Sequence, residues 1–325
     1  MPDAMLWAPR AWLPQGWRER VLLTIEGGHW GEITPEVAAP PAGATVLAGA
    51  LLPPLIDAHS HAFQRACAGL AERRETERDD FWSWRERMYA VALRVDAEAL
   101  RAIAAQLYVE LLRGGYTQVC EFHYLQHDRD GRPYADALHL SWALMDAAAE
   151  AGIGLTVLPV LYERAGFAQP QLRDEQRRFA LDADAAWHAC NAIAARAQPL
   201  VNAGLAIHSL RAARPQSIAR LCELAFGWDG PIHIHVAEQT TEVDQCLAAT
   251  GARPIEWLAR ERLLDARWNL VHATHTTRAE IDAVARSGAA VVLCPSTEAN
   301  LGDGLTDLPA WLAAGVPLSI GSDSH

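Results

Sequence analysis

From about residue 50 onward, short and nearly uninterrupted apolar runs alternate with longer segments whose apolar positions recur every three or four residues. A continuous apolar run of strand length fits a strand buried on both faces, and the three-to-four recurrence fits an amphipathic helix. The runs fall at 54–58, 116–122, 153–161, 202–208, 231–237, 268–273, 289–294 and 317–322. Helical periodicity fills most of the intervals, as at 277–287 and at 96–113, where Asp96 is placed to cap the first free amides. Four helical segments run into glycine just before the next strand, in RGGYTQVCEF, EAGIGLTVLPV, RSGAAVVLCP and AAGVPLSIGSD. Glycine there accepts the left-handed conformation that ends a helix. Eight strands in β–α alternation predict an α/β fold of the (β/α)₈ barrel type. An open doubly wound sheet is the alternative, weakened because no GxGxxG or P-loop follows the first strand.

Residues 1–50 read differently. RVLLTI at 20–25 has the texture of a strand, GGHWG follows as a turn, and 44–52 is a further apolar stretch. The predicted organisation is part of a small β-sandwich domain over 1–50 and the barrel over 51–325. The sequence ends at His325, directly after the eighth strand. The expectation is a barrel truncated after strand eight and lacking its last helix, poorly soluble or inactive as it stands and active once extended.

Composition narrows the function classes. Half of the 325 residues are hydrophobic, enough for one large core with a small satellite. A net charge of −12 argues against a nucleic-acid binder, which needs a basic face, and means that an anionic substrate needs local arginines. No apolar run approaches the roughly 20 residues of a membrane span, and no signal peptide opens the chain. The six cysteines are scattered with no CxxC pair, which fits reduced thiols in a cytoplasmic enzyme and excludes a cytidine-type zinc deaminase. The chain contains no lysine, so neither a Schiff base nor a metal bridge through a carboxylated lysine is available.

The candidate chemistry lies at the predicted strand ends. The first barrel strand closes in LIDAHSHAF, and His59 and His61, two apart on a strand, point the same way and can share a metal. By itself an HxH pair fits a packed core more readily than a metal site. Position changes the balance, because active sites of this barrel sit at the C-terminal strand ends. His235 ends strand five in IHIHVAE, His272 strand six in LVHATH, and Asp323 strand eight in IGSDSH. Glu238, three residues past His235, is placed to reach a water at such a metal without binding the metal. His29, His123, His127, His139, His188, His233, His275 and His325 are expected to be structural, with His233 deeper in the same strand as His235.

The metal pattern resembles the amidohydrolase superfamily, and the wider sequence is similar to its formimidoylglutamate deiminase (N-formimino-L-glutamate iminohydrolase) family. The similar stretches include HSHAFQRACAGLAE, DDFWSWRERMY, CEFHYL, IHSLRAARP, HIHVAEQ, VHATH, CPSTEANLGDG and GSDSH, in order along nearly the whole chain. The resemblance implies a zinc ion on His59, His61, His235 and Asp323, with Glu238, His272 and Asp323 as the catalytic groups. It implies substrate contacts from Gln64, Arg85, Tyr124, His208 and Arg211, the arginines matching a substrate with two carboxylates. It implies hydrolysis of N-formimidoyl-L-glutamate to N-formyl-L-glutamate and ammonia, a step of histidine degradation. Members of the family carry a further segment beyond the point where this sequence ends. Glu298 and Asn300 follow strand seven and are expected to line the site, without assigned roles. Expected partners are the small anionic substrate and at most a second copy in a homodimer, with neither nucleic acid nor membrane. Two other readings stay open: a superfamily deaminase of an aminated ring such as cytosine, guanine or adenosine, and an inactive barrel acting as a binding module.

Overall fold

The structure is a computed structural model that describes residues 2–69 and 81–324, with the side chains of 81–83 left aside. The end of HSHAFQRACAGLAE, the start of DDFWSWRERMY and His325 lie outside the described residues. The chain divides into two compact units, Met1–Leu55 and Ile56–His325.

In the first unit, β1 (Ala4–Leu13), β2 (Gly16–Glu26), β3 (His29–Thr34) and β4 (Thr45–Val46) form one sheet in the order β3-β2-β1-β4. The pairs β1–β2 and β2–β3 are antiparallel, while β4 runs parallel to β1. Ala8, Ala11, Val21 and Leu23 form its small core. RVLLTI is the middle of β2. The strand β1 has no counterpart in the sequence reading beyond the general β character of the region.

The second unit is the barrel. Its elements run β5 (Leu55–Ser60), α1 (Phe81–Ala92), α2 (Ala97–Arg113), β6 (Tyr116–His123), α3 (His139–Ala151), β7 (Gly154–Leu161), α4 (Ala183–Ala195), β8 (Val201–Ala203), β9 (Leu205–Ile207), α5 (Pro215–Leu224), β10 (Ile232–Val236), α6 (Thr240–Thr250), α7 (Pro254–Arg260), β11 (Trp268–His272), α8 (Arg278–Ser287), β12 (Ala290–Leu293), α9 (Pro295–Leu301), α10 (Leu308–Ala313) and β13 (Leu318–Ile320). The sheet order β6-β5-β13-β12-β11-β10-β9-β7 closes through the further pairing of β6 with β7, so eight parallel strands encircle the core. The fold is the expected (β/α)₈ barrel.

Local sequence explains the elements. Every residue of β7, GLTVLPVL, is buried, which is why it reads as an unbroken apolar run. In α2 the buried positions Leu100, Ala104, Leu107, Tyr108 and Leu111 form one stripe, and the Asp96 carboxylate accepts the Ala99 amide at 2.9 Å. Thr277 and Glu280 cap α8 reciprocally, and Gly288 ends it at φ +78°.

One strand departs from the reading. The run 202–208 is two short strands, β8 and β9, interrupted at Gly204. The start of β7 pairs with β8 and its end with β9. A Cβ at Gly204 would lie 2.4 Å from Leu158 Cδ2 and 3.0 Å from the Pro231 carbonyl oxygen, so only glycine lets the chain pass there.

Candidate metal centre and active site

The C-terminal strand ends of the barrel bring the candidate residues to one place. His59 and His61 come from the end of β5, His235 from β10, and Asp323 from just past β13; all four are buried. His59 Nε2 lies 3.0 Å and His61 Nε2 3.3 Å from His235 Nε2, while Asp323 Oδ1 is 3.2 Å from His59 Nε2 and 3.3 Å from His61 Nε2. Ligands about 2.0–2.1 Å from a tetrahedral metal are separated from one another by roughly 3.3 Å, the spacing seen here. His61 Nδ1 faces the Phe122 carbonyl at 2.9 Å and His235 Nδ1 the His208 carbonyl at 2.9 Å. Each Nδ1–H therefore donates to a backbone oxygen, and each Nε2 turns its lone pair to the common centre.

Electrostatics agrees with this geometry. Burial, reinforced by the neighbouring His59, pushes His61 down to about 3, and burial likewise lowers His59 and His235, so the imidazoles are neutral. Burial would raise Asp323, but its close contacts with the His59, His61 and His272 rings outweigh this and hold it below the usual carboxylate range. Three neutral imidazoles and one carboxylate make a donor set of charge −1 that fits a divalent cation. His272, Cys294 and Asp323 are a second converging group among the described residues. Burial pushes the Cys294 thiol up to about 12, against the pull of His272, which disfavours the thiolate that a metal needs.

Three of the four donors, His61, His235 and Asp323, line a cleft. It is lined by Gln64, Arg85, Tyr124, His208 and Arg211 together with Glu238, His272 and Asp323, so each candidate substrate contact reaches it. Gln64 donates to Tyr124 Oη at 2.7 Å. The Arg85 side chain is 14 % exposed, more enclosed than a surface position, and Arg85 and Arg211 also border a second, more open cleft beside Arg173. His272 stands between two carboxylates, with Nε2 3.6 Å from Glu238 and Nδ1 3.5 Å from Glu298. Burial opposes its charge, but the Glu238 carboxylate, Cys294 and Glu298 raise it well above an ordinary histidine. Burial raises Glu238 to about 8, against the attraction of His272.

Backbone strain is concentrated at the same rim. His272 (φ 70°), Asp323 (φ 51°) and Ala237 (φ 53°), the last directly before Glu238, all occupy the left-handed region. Such conformations in residues other than glycine cost about 1–3 kcal/mol each and persist where the surroundings impose them. Glu242, absent from the sequence-based candidates, is one such imposing group. It is buried, and its two carboxylate oxygens accept the amides of Ala237 at 3.2 Å and Glu238 at 3.1 Å. Its sequence signal is an acid at the third position of α6, where a side chain reaches back over the helix start. Asn300 corrects the reading: it is exposed, and Thr297 and Leu301 of the same segment line the cleft instead. Glu298 is buried against His272, and His233 is buried below His235.

Comparison with known proteins agrees. Residues 50–325 match the family model described as amidohydrolase family. The chain belongs to the amidohydrolase family. It is 50% identical over 323 residues to a formimidoylglutamate deiminase of Pseudomonas aeruginosa, covering 98% of this chain and 70% of that protein. A 5-methylthioadenosine/S-adenosylhomocysteine deaminase of Natronomonas pharaonis is 29% identical, over 84% of this chain and 57% of its own length. Among solved structures, an amidohydrolase from Brucella melitensis superposes with TM-score 0.94 at 42% identity, over 99% of this chain and 71% of that one. An atrazine chlorohydrolase from Arthrobacter aurescens complexed with zinc shares the fold at TM-score 0.81 and 21% identity, over 99% of this chain and 72% of that one. Among the described residues no helix is long and apolar enough to cross a membrane, and the six cysteines are free.

The geometry predicts about one divalent metal ion per chain. His59→Ala and Asp323→Ala should each lose most of it by elemental analysis; full occupancy in both would overturn the donor assignment.

Proposed function

We propose that this chain hydrolyses N-formimidoyl-L-glutamate to N-formyl-L-glutamate and ammonia, as a cytoplasmic zinc enzyme of histidine degradation. The observation that carries the reading is the pairing, in one cleft, of a buried three-histidine, one-aspartate centre with Arg85 and Arg211. The identity to the Pseudomonas aeruginosa deiminase supports the same substrate.

His59, His61, His235 and Asp323 hold the zinc, which, when bound, lowers the pKa of water toward about 7 and so supplies a nucleophile at neutral pH. Asp323, kept ionised by its histidine neighbours, takes the proton of the attacking water at its carboxylate. Oxygen adds to the formimidoyl carbon of the protonated amidine, and the bond from that carbon to the terminal nitrogen then breaks as the oxygen's second proton passes to Glu238, which its own donation to the nitrogen has left ionised, while Asp323 returns its proton to solvent. Glu238, whose raised pKa lets it hold a proton near neutrality, delivers that proton to the nitrogen that leaves as ammonia. His272, lying between Glu238 and Glu298, stabilises the negative charge that develops on oxygen. Arg85 and Arg211, which line both clefts, bind the two substrate carboxylates, and Gln64, Tyr124 and His208 orient the chain between.

The ring-deaminase reading predicts a different substrate for the same acid–base groups, and ammonia release from a panel of formimidoylglutamate, cytosine, guanine and adenosine separates the two. Two variants test the assigned roles. Glu238→Gln should keep its metal and lose about 10²–10⁴-fold in turnover, because only the proton carrier is removed; a rate within about threefold of the parent contradicts the role. Arg211→Met should cost formimidoylglutamate on the order of 2–5 kcal/mol in kcat/KM and spare an uncharged amidine of similar size. Equal losses on both compounds make Arg211 structural.

A further inference from the structure

A chain of hydrogen bonds ties the strand carrying His59 and His61 to the segment carrying Asp323, and it ends on a carboxylate outside the cleft. Glu121, on β6, is 2% exposed. Its Oε1 accepts the Ala62 amide at 2.6 Å, and its Oε2 accepts the Ser60 hydroxyl at 3.0 Å. Ser60 Oγ is 2.9 Å from Ser324 Oγ, and Ser324 Oγ accepts the His61 amide at 2.8 Å. A hydroxyl has one proton to give. Ser60 gives its proton to Glu121, so Ser324 donates to Ser60 and offers a lone pair to His61. Every donor along the chain points toward Glu121.

The connectivity is what gives this acid its effect. Ser60 and Ala62 flank His61, and Ser324 directly follows Asp323. One side chain on the second barrel strand therefore holds the backbone after one donor and, through the Ser60 hydroxyl, the residue beside another. Asp57 ties the same two segments from within β5, through Ser322, and Glu121 adds the hold from the neighbouring strand. His61 also takes its tautomer from the carbonyl of Phe122, the residue after Glu121, so β6 orients both the ring and the backbone of that donor.

We propose that Glu121 is the positioning residue of the metal centre. Through Ser60, Ala62 and Ser324 it sets the separation of His61 and Asp323, and thereby the affinity for the divalent ion, without touching substrate or metal. The inference rests on the reading of His59, His61, His235 and Asp323 as the metal donors. A merely structural buried acid would govern the stability of the metal-free chain and leave the affinity of the folded chain alone. Outer partners of metal ligands typically contribute about 10–100-fold in affinity.

The test is the zinc dissociation constant of the full chain by competition with a chromophoric chelator, alongside the thermal midpoint of the metal-free chain. Glu121→Ala, which orphans the Ala62 amide and the Ser60 hydroxyl, should weaken zinc by about 10–100-fold. Glu121→Gln keeps one acceptor oxygen and should restore part of that loss. Ser60→Ala, which leaves Glu121 on the Ala62 amide but cuts the link to Ser324, should weaken zinc by about threefold or more. If Glu121→Ala fails to fold, Glu121→Gln and Ser60→Ala decide. Zinc binding within about threefold of the parent in both of these overturns the proposal, whatever happens to the thermal midpoint. A parent chain that binds no zinc would instead overturn the donor assignment itself.

Discussion

Three imidazole nitrogens and a carboxylate oxygen, all within 4.8 Å of one another and four of their pairs at 3.0–3.3 Å, are the constraint around which the barrel rim is organised. Neutral nitrogens at such distances repel unless a cation lies among them, so the arrangement stores an electrostatic demand that a divalent ion satisfies. The protein meets the cost of gathering them with its scaffold. Backbone carbonyls of Phe122 and His208 fix two ring orientations, and the rigid parallel strands fix the distances. The left-handed residues at the strand ends let the chain leave the sheet while its side chains still face the axis.

The acid–base groups depend on the same enclosure. Glu238 and His272 are buried together at 3.6 Å; burial raises Glu238, and the carboxylate beside it raises His272. Glu242 and Glu298 are the supports behind them, one holding the turn that presents Glu238 and the other lying against the far nitrogen of His272. Arg85 and Arg211 place positive charge on the linings of both clefts of a negatively charged chain.

Much of this was legible in the sequence, and the reasons differ by residue. His59 and His61 were readable because strand periodicity puts alternate side chains on one side, and His235, His272 and Asp323 because the barrel places strand ends at one rim. The candidate substrate contacts came from family resemblance, since a lone Arg85 in an amphipathic stretch carries no signal of direction. The break at Gly204 was hidden because it follows from the approach of Leu158 and Pro231, residues remote in sequence. Glu121 looked like one polar residue in CEFHYL, and its partners Ser60 and Ser324 meet it only after the barrel closes. Asn300 was misplaced because the turn of α9 carries Thr297 and Leu301 inward and leaves Asn300 outside.

The donor set of histidine nitrogens and a carboxylate contains no sulfur, although the Cys294 thiol stands beside His272 and Asp323. X-ray absorption at the zinc edge of the metal-loaded chain tests this directly. The account predicts a first shell of nitrogen and oxygen at about 2.0–2.1 Å with the multiple-scattering pattern of about three imidazoles. A sulfur neighbour at about 2.3 Å, or a shell with a single imidazole, would contradict it.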